Sequence, residues 1–422
     1  MRYKKLSENE GRIKMEIKTN GGIASPKGFM AAGIEAAVKY QNRKDMAIIY
    51  SEKPCVAAGT FTSNVVKAAP VKWDMKVVEE SPFAQAVIVN TGIANAGTGR
   101  EGMDCCEKTA EKAGELLGIP KESVLIGSTG VIGAQLPMDR ILAGVEKLVA
   151  AREHSDTAGT DASKAIMTTD TVNKELAVTL DIGGVTVMIG AMSKGSGMIH
   201  PNMCTMLGYV TTDAVIGKEA LTSIIKEDVV DTYNMISVDG DTSTNDTLLI
   251  LANGMAGNPE ILPGTPEYEA FKEAVHFINE TQAKRLAGDG EGAKALVECH
   301  VINAASKEDA RTLAKSVICS SLTKAAVFGH DANWGRILCA LGYSGAEFDP
   351  EDMAIYYAAF GKKILIYENG MDAGYSEEEA TEILSQPEVQ IIADMHMGTY
   401  DATAWGCDLT YDYVKINADY RS

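Results

Sequence analysis

The residues with the most chemical promise lie in one run, Lys194 to Leu207, which reads KGSGMIHPNMCTML. Gly195 and Gly197 free the backbone for positive φ and close approach, and Pro201-Asn202 bends the chain. Met-Cys-Thr then enters an apolar, strand-like stretch from Met206 to Thr211. A bend followed by a buried strand can press the Thr205 hydroxyl against the carbonyl of Cys204. An N-to-O acyl shift, with hydrolysis of the resulting ester, would end one piece at Cys204 and begin another at Thr205. The new terminus sets an α-amine beside the threonine hydroxyl. With a pKa of about 7.7–8, that amine can take the hydroxyl proton near neutrality without a histidine. The Cys204 thiol is the better intrinsic nucleophile and leaves open a cut one bond earlier, after Met203. We read Cys204 as a small buried side chain that becomes the new carboxyl terminus.

A hydroxyl that attacks an acyl group creates an oxyanion in need of fixed donors. Ser128-Thr129-Gly130 follows the strand-like Val124–Ile126, and a glycine there lets backbone N–H groups point into a cavity, although taken alone it is an ordinary glycine turn. Lys194 suits a carboxylate, and Glu291, set between Gly290 and Gly292, suits an ammonium group. Other tempting groups read as structural. With a free amine at hand, His200 is not needed as a base. Asp239, Asp241 and Asp246 in VDGDTSTND lack the later bidentate glutamate of a calcium loop and read as a capped turn. FGHDANWGRI reads as a helix start with Trp334 packed inward, and VNTGIANAGTG lacks the spacing of a nucleotide-binding turn.

The elements that must hold these groups alternate along the chain. Gln85–Thr91, Leu176–Asp181 and, after a Gly-Gly turn, Val185–Ile189 read as strands, with more near 389–396 and 403–409. Pro137–Ala151 reads as a helix. So does Glu267–Leu286, after the cap and first-turn pair Thr265-Pro266, while Ser376 with Glu379 makes a capping box. The pattern predicts an α/β fold, a layered sandwich with face-to-face sheets and outer helices, rather than a doubly wound sheet.

The 422 residues are 45% hydrophobic and 23% charged, as expected of a globular protein with a sizeable core. A net charge of −19 argues against nucleic acid and anionic membrane partners, and obliges any site for carboxylates to reverse the field locally. The charged start, MRYKKLSENEGRIK, has no signal-like apolar segment, and no apolar run approaches the ~20 residues of a membrane span. Eight scattered cysteines without CxxC pairs predict reduced thiols, no structural zinc and a cytoplasmic protein.

KGSGMIHPNMCTMLGYVTTDA resembles the self-cleavage segment of the ornithine acetyltransferases (glutamate N-acetyltransferases) of arginine biosynthesis. The likeness extends through GGIASPKGF (21–29), AAGTFTSNVVKAAPV (57–71), STGVIG (128–133), MTTDT (167–171), GDGEGA (288–293), FGHDANWGRI (328–337) and the terminal NADYRS. Residues 1 to about 14 precede it as a private extension. The resemblance implies transfer of the acetyl group from N2-acetylornithine to glutamate through an acetyl-threonine at Thr205. Thr129 and Gly130 would form the oxyanion hole, and Thr168, Lys194, Thr205, Glu291, Asn417 and Ser422 would bind substrate. It further implies two interlocked pieces, an α chain of residues 1–204 and a β chain of residues 205–422, assembled as a heterotetramer of two of each, with no cofactor. The chain departs from the family at Cys204, usually alanine, and at Lys294, usually threonine. Acetyl-CoA as a further donor is left open, with recycling alone the favoured reading. An N-terminal-nucleophile aminopeptidase or amidase, and an uncut binding protein without enzymatic activity, are the rival readings.

Overall fold

The computed structural model describes residues 15–200 and 206–419. The expected extension at residues 1–14, the expected cleavage site Cys204-Thr205 and the terminal Ser422 lie outside them. The strands are β1 (Met15–Ile17), β2 (Phe29–Ile34), β3 (Met46–Phe61), β4 (Ala84–Ile93), β5 (Val124–Val131), β6 (Lys174–Ile182), β7 (Val185–Lys194), β8 (Leu207–Thr212), β9 (Ile236–Ser237), β10 (Thr247–Ala252), β11 (Leu296–Ala304), β12 (Ala354–Ala359), β13 (Lys362–Glu368), β14 (Met371–Asp372), β15 (Glu388–Asp394) and β16 (Tyr400–Cys407). They form a nine-stranded sheet, β1-β6-β7-β8-β10-β3-β4-β5 with β2 also on β3, and a seven-stranded sheet, β14-β13-β12-β15-β11-β16-β9. The protein is α/β, with two mixed sheets and helices packed on them.

β3 organises the first sheet. Its C-terminal part, from Val56 to Phe61, pairs with β10, and its N-terminal part pairs with β4, with a register shift between Tyr50 and Cys55. Leu207, Tyr209, Leu249 and Leu251 of one half share a single core with Val87, Val89 and Ile126 of the other. A Cβ at Gly127 would sit 2.1 Å from the Tyr209 hydroxyl, so the two halves face each other across that core. Such a crossing strand is how a continuous ladder turns into a sandwich without leaving unpaired backbone groups.

Helix Pro266–Gly288 packs against β6 and β7 of the first sheet and against β16 of the second. That double contact explains why its buried residues, among them Phe271, Val275, Ile278 and Gln282, go round much of the helix instead of forming one stripe. Thr265 caps it by accepting the Tyr268 N–H at 3.2 Å, and Ser376 caps Glu377–Leu384 through the Glu379 N–H at 3.3 Å. Helix Met138–Ala151 starts directly after Pro137. Trp334 opens a helix through Gly342, packs against Tyr367 and donates its ring N–H to Asp372. No helix among the described residues is long and apolar enough to cross a membrane.

Strands from both sides of residues 204 and 205 interleave. β8 lies between β7, to which it is antiparallel, and β10, to which it is parallel. Removing the cap at the head of the long helix tests how far its packing depends on local structure. Thr265→Ala is expected to lower stability by about 1 kcal/mol, read as a lower urea midpoint with an unchanged slope.

Candidate active site

The strand order brings several chain ends together. Lys194, last in β7, is in register with Leu207, first in β8, and Leu207 is in register with Thr247, first in β10. From the facing half, the end of β5 joins them: Asn245, two residues before β10, donates to the carbonyls of Ala94 (2.6 Å) and Ser128 (2.8 Å). A cavity of about 220 Å³ lies at this junction, and its lining includes Thr129, Gly130, Thr168, Lys194, Glu291 and Asn417 beside Met206. Every described residue that the sequence reading placed in the site therefore faces one cavity. Met206 follows directly on Thr205 in the chain.

Thr129 and Gly130 stand at a bulge between β4 and β5, where Ile93 pairs with both Thr129 and Val131. Gly130 has φ +131°, and a Cβ on it would lie 2.2 Å from the Gly92 carbonyl carbon, so only glycine fits without moving backbone. Lys194 is buried, and its ammonium donates to the Thr129 hydroxyl at 3.3 Å. Burial pulls the Lys194 ammonium below the ordinary lysine range. Asp170 opposes this most strongly, Lys174 adds to it, and Asp246 and Glu291 oppose it further.

Glu291 is buried too. Its N–H donates to the Ser196 carbonyl at 3.0 Å and its carboxylate accepts the Asn417 amide at 2.7 Å. Asn417 sits on a helix, Tyr411–Ala418, where an unsupported tail is the default reading of the sequence. Gly197 is needed for close approach: a Cβ there would lie 2.4 Å from the Glu291 carboxyl carbon. Gly195 has positive φ, +158°, and Met198, though not a glycine, is left-handed at φ +55°. Its N–H and that of Ile199 are both held by the Asp239 carboxylate, at 2.6 and 2.9 Å. VDGDTSTND is thus a turn that grips the approach to residue 204, and among the described residues no group of acidic, histidine or cysteine side chains could hold a metal ion.

His200 is outside the cavity lining. Burial, reinforced by Lys315, lowers its pKa to about 4, so the ring is neutral, and its Nδ1 lies 3.1 Å from the Ser237 hydroxyl. The sequence reading missed Ser243–Asp246, which line the cavity, and Asp170 and Lys174 behind it. Asp246 was visible only as part of a false calcium loop. The signal for Asp170 was its place in MTTDT, a block in which only Thr168 attracted a role.

One buried lysine, two carboxylates and a glycine bulge with no room for a side chain line a small cavity suited to small charged ligands, the setting of an enzyme active site. The comparisons with known proteins give the family. Residues 30–422 match the ArgJ family model. The arginine biosynthesis bifunctional protein ArgJ of Symbiobacterium thermophilum is 51% identical over 404 residues, covering 95% of this chain and 99% of its own. That of Thermotoga neapolitana is 47% identical over 398 residues, 94% of this chain and 99% of its own. The crystal structure of argJ from Bacillus halodurans aligns over 50% of this chain and 97% of its own, at 44% identity and a TM-score of 0.48. The chain belongs to the ArgJ family and is an acetyltransferase of arginine biosynthesis.

Gly130→Ala cannot be accommodated without shifting the β4–β5 bulge. Turnover is expected to fall by about 10²–10³-fold, measured by steady-state kinetics on protein whose circular dichroism matches the wild type.

Proposed function

We propose that this cavity transfers the acetyl group of N2-acetylornithine to glutamate through an acetyl-threonine on Thr205, after the chain has cut itself between Cys204 and Thr205. The observation that most supports this reading is the convergence of Thr129, Gly130, Thr168, Lys194, Glu291 and Asn417 on one cavity beside Met206. Thr205 Oγ attacks the acetyl carbonyl carbon while its own α-amine takes the hydroxyl proton. The oxyanion forms against Thr129 and Gly130. Because the Thr129 hydroxyl accepts from Lys194, its own proton is directed elsewhere and can be donated to the oxyanion. Collapse breaks the amide bond, and the leaving α-nitrogen of ornithine takes back the proton. Glutamate's α-amine then attacks the ester carbonyl and the steps run in reverse, giving N-acetylglutamate.

Lys194 meets the α-carboxylate in both half-reactions, and Glu291 receives the side-chain ammonium of ornithine. Thr168, Asn417 and Ser422 complete the substrate site. Donor and product are both α-amides, so the exchange is nearly thermoneutral and needs no cofactor. The ester survives only if water is kept out, which a small cavity favours. Residues 1–204 and 205–422 stay joined because β8, after the cut, bonds along its whole length to the Ile189–Lys194 part of β7, before it. Two copies of each piece in a cytoplasmic heterotetramer complete the reading.

A second reading, that acetyl-CoA also donates the acetyl group, is favoured by the name bifunctional carried by the relatives. Assays with N2-acetylornithine and glutamate, with and without acetyl-CoA, separate recycling alone from both activities. Release of free acetate would instead mark an amidase, and an intact mass of the full chain in active preparations would mark a protein that never cuts itself.

Thr205→Ala is expected to give one uncut chain on a denaturing gel, with transferase activity lost. Two pieces from that variant, or retained ping-pong kinetics, would overturn the scheme. N-terminal sequencing of wild-type enzyme should find a chain beginning Thr-Met-Leu-Gly.

A further inference from the structure

Behind the cavity wall lies a buried charge network that touches no lining surface: Asp170, Lys174 and Asp289 are all absent from the cavity lining. Lys174 is fully buried, and its ammonium lies 2.8 Å from Asp170 Oδ1 and 2.6 Å from Asp289 Oδ2. Asp170 does more than pair with it. Oδ2 accepts the Thr168 N–H at 3.0 Å, and Oδ1 also accepts the Gly195 N–H, next to Lys194, at 2.7 Å. Asp289 accepts the Thr171 N–H at 3.1 Å, while its carbonyl accepts the Ser196 hydroxyl at 2.7 Å. Three segments that bring Thr168, Lys194 and Glu291 to the cavity are thereby tied to one another by buried ions.

We propose that Asp170 is a positioning residue for acetyl transfer: from behind the wall it holds the backbone that carries Thr168 and Lys194, and through its bond to the Gly195 N–H it sets a negative charge next to the lysine that faces the substrate carboxylate. The inference rests on the reading of Lys194 as the carboxylate-binding group. A buried carboxylate that accepts two backbone N–H groups and a lysine cannot rotate without leaving donors unpaired, so it fixes geometry as well as charge. Burial alone would favour the neutral acid, but Lys194, Lys174 and the Gly195 N–H outweigh it and hold the Asp170 carboxyl at about 2, ionised across the working range. Among the described residues, the charged groups acting on Lys194 are Asp170, Lys174, Asp246 and Glu291; the Thr205 α-amine of the processed chain is the same in every variant and moves no limb between them. Asp170 and Lys174 act on it with opposite sign, which gives the test its direction.

The test uses the self-processed enzyme with N2-acetylornithine as the varied substrate, because its acylated α-nitrogen does not titrate, over pH 6–10. Asp170→Asn should raise KM about tenfold or more, change kcat less, and move the alkaline limb of kcat/KM down by about one pH unit, through loss of the counter-charge. Lys174→Met should move the same limb upward, through loss of a neighbouring cation. A purely structural role would lower activity in both variants without opposite shifts, and limbs that coincide with wild type or move in the same direction would overturn the proposal. Should Asp170→Asn fail to accumulate as folded protein, the upward shift in Lys174→Met decides alone. Lys194→Met separates the inference from the reading beneath it. If KM does not rise in that variant, Lys194 does not bind the carboxylate and that reading fails. If KM rises there while Asp170→Asn behaves as wild type, only the present inference fails.

Discussion

The structure has to seat a buried lysine, Lys194, against a small cavity of a chain whose net charge is −19. The overall field attracts cations and repels the carboxylates that both substrates carry, so the cavity must invert that field over a few ångströms. A buried lysine by itself would give up its proton, since taking an ion out of water costs several kcal/mol. Lys194 is therefore set within the field of three carboxylates, Asp170 behind the cavity wall and Asp246 and Glu291 in its lining. Lys174, between Asp170 and Asp289, compensates the acidic side in turn. The wall of the site is a balanced array of ions whose donors and acceptors are also its backbone supports.

The fold makes that array possible through one strand. β3 runs from pairing with β4 to pairing with β10, and this carries the end of β5 round to the starts of β8 and β10. Thr129 and Gly130 on one side and the entry to β8 on the other therefore come from facing halves of one sheet. The same arrangement would hold the two pieces together after the proposed cut before β8. A strand bonded along its length to β7 on one side and β10 on the other does not depend on the peptide link at its start.

Much of this was legible in the sequence, and the parts that were not share a cause. The capped helices at Thr265 and Ser376, the hairpin at Gly183-Gly184 and the inward Trp334 were readable because their determinants lie within a few residues of one another. The site blocks were readable as a resemblance, and glycines 130 and 197 carry a physical reason that local pattern only hints at. Asp170 and Lys174 passed unnoticed because a charged pair four residues apart reads as solvated. Its burial is decided by Asp289, 115 positions beyond Lys174. Asp239 read as a turn cap, and it is one; that it also grips Met198 and Ile199 across 40 positions or more could not be seen locally.

The sequence alone determined which atoms are covalent neighbours: a threonine hydroxyl next to its own backbone nitrogen, a lysine eleven residues ahead of it, and glycines where no side chain would fit. Tertiary structure decided the company those groups keep. Which acid faces Lys194, which hydroxyl receives its hydrogen bond, and which amide steadies Glu291 follow from strand register and the bend of β3. Register is set by the pairing of segments far apart in the chain, and no local pattern encodes a distance between residues 129 and 194 or between 291 and 417.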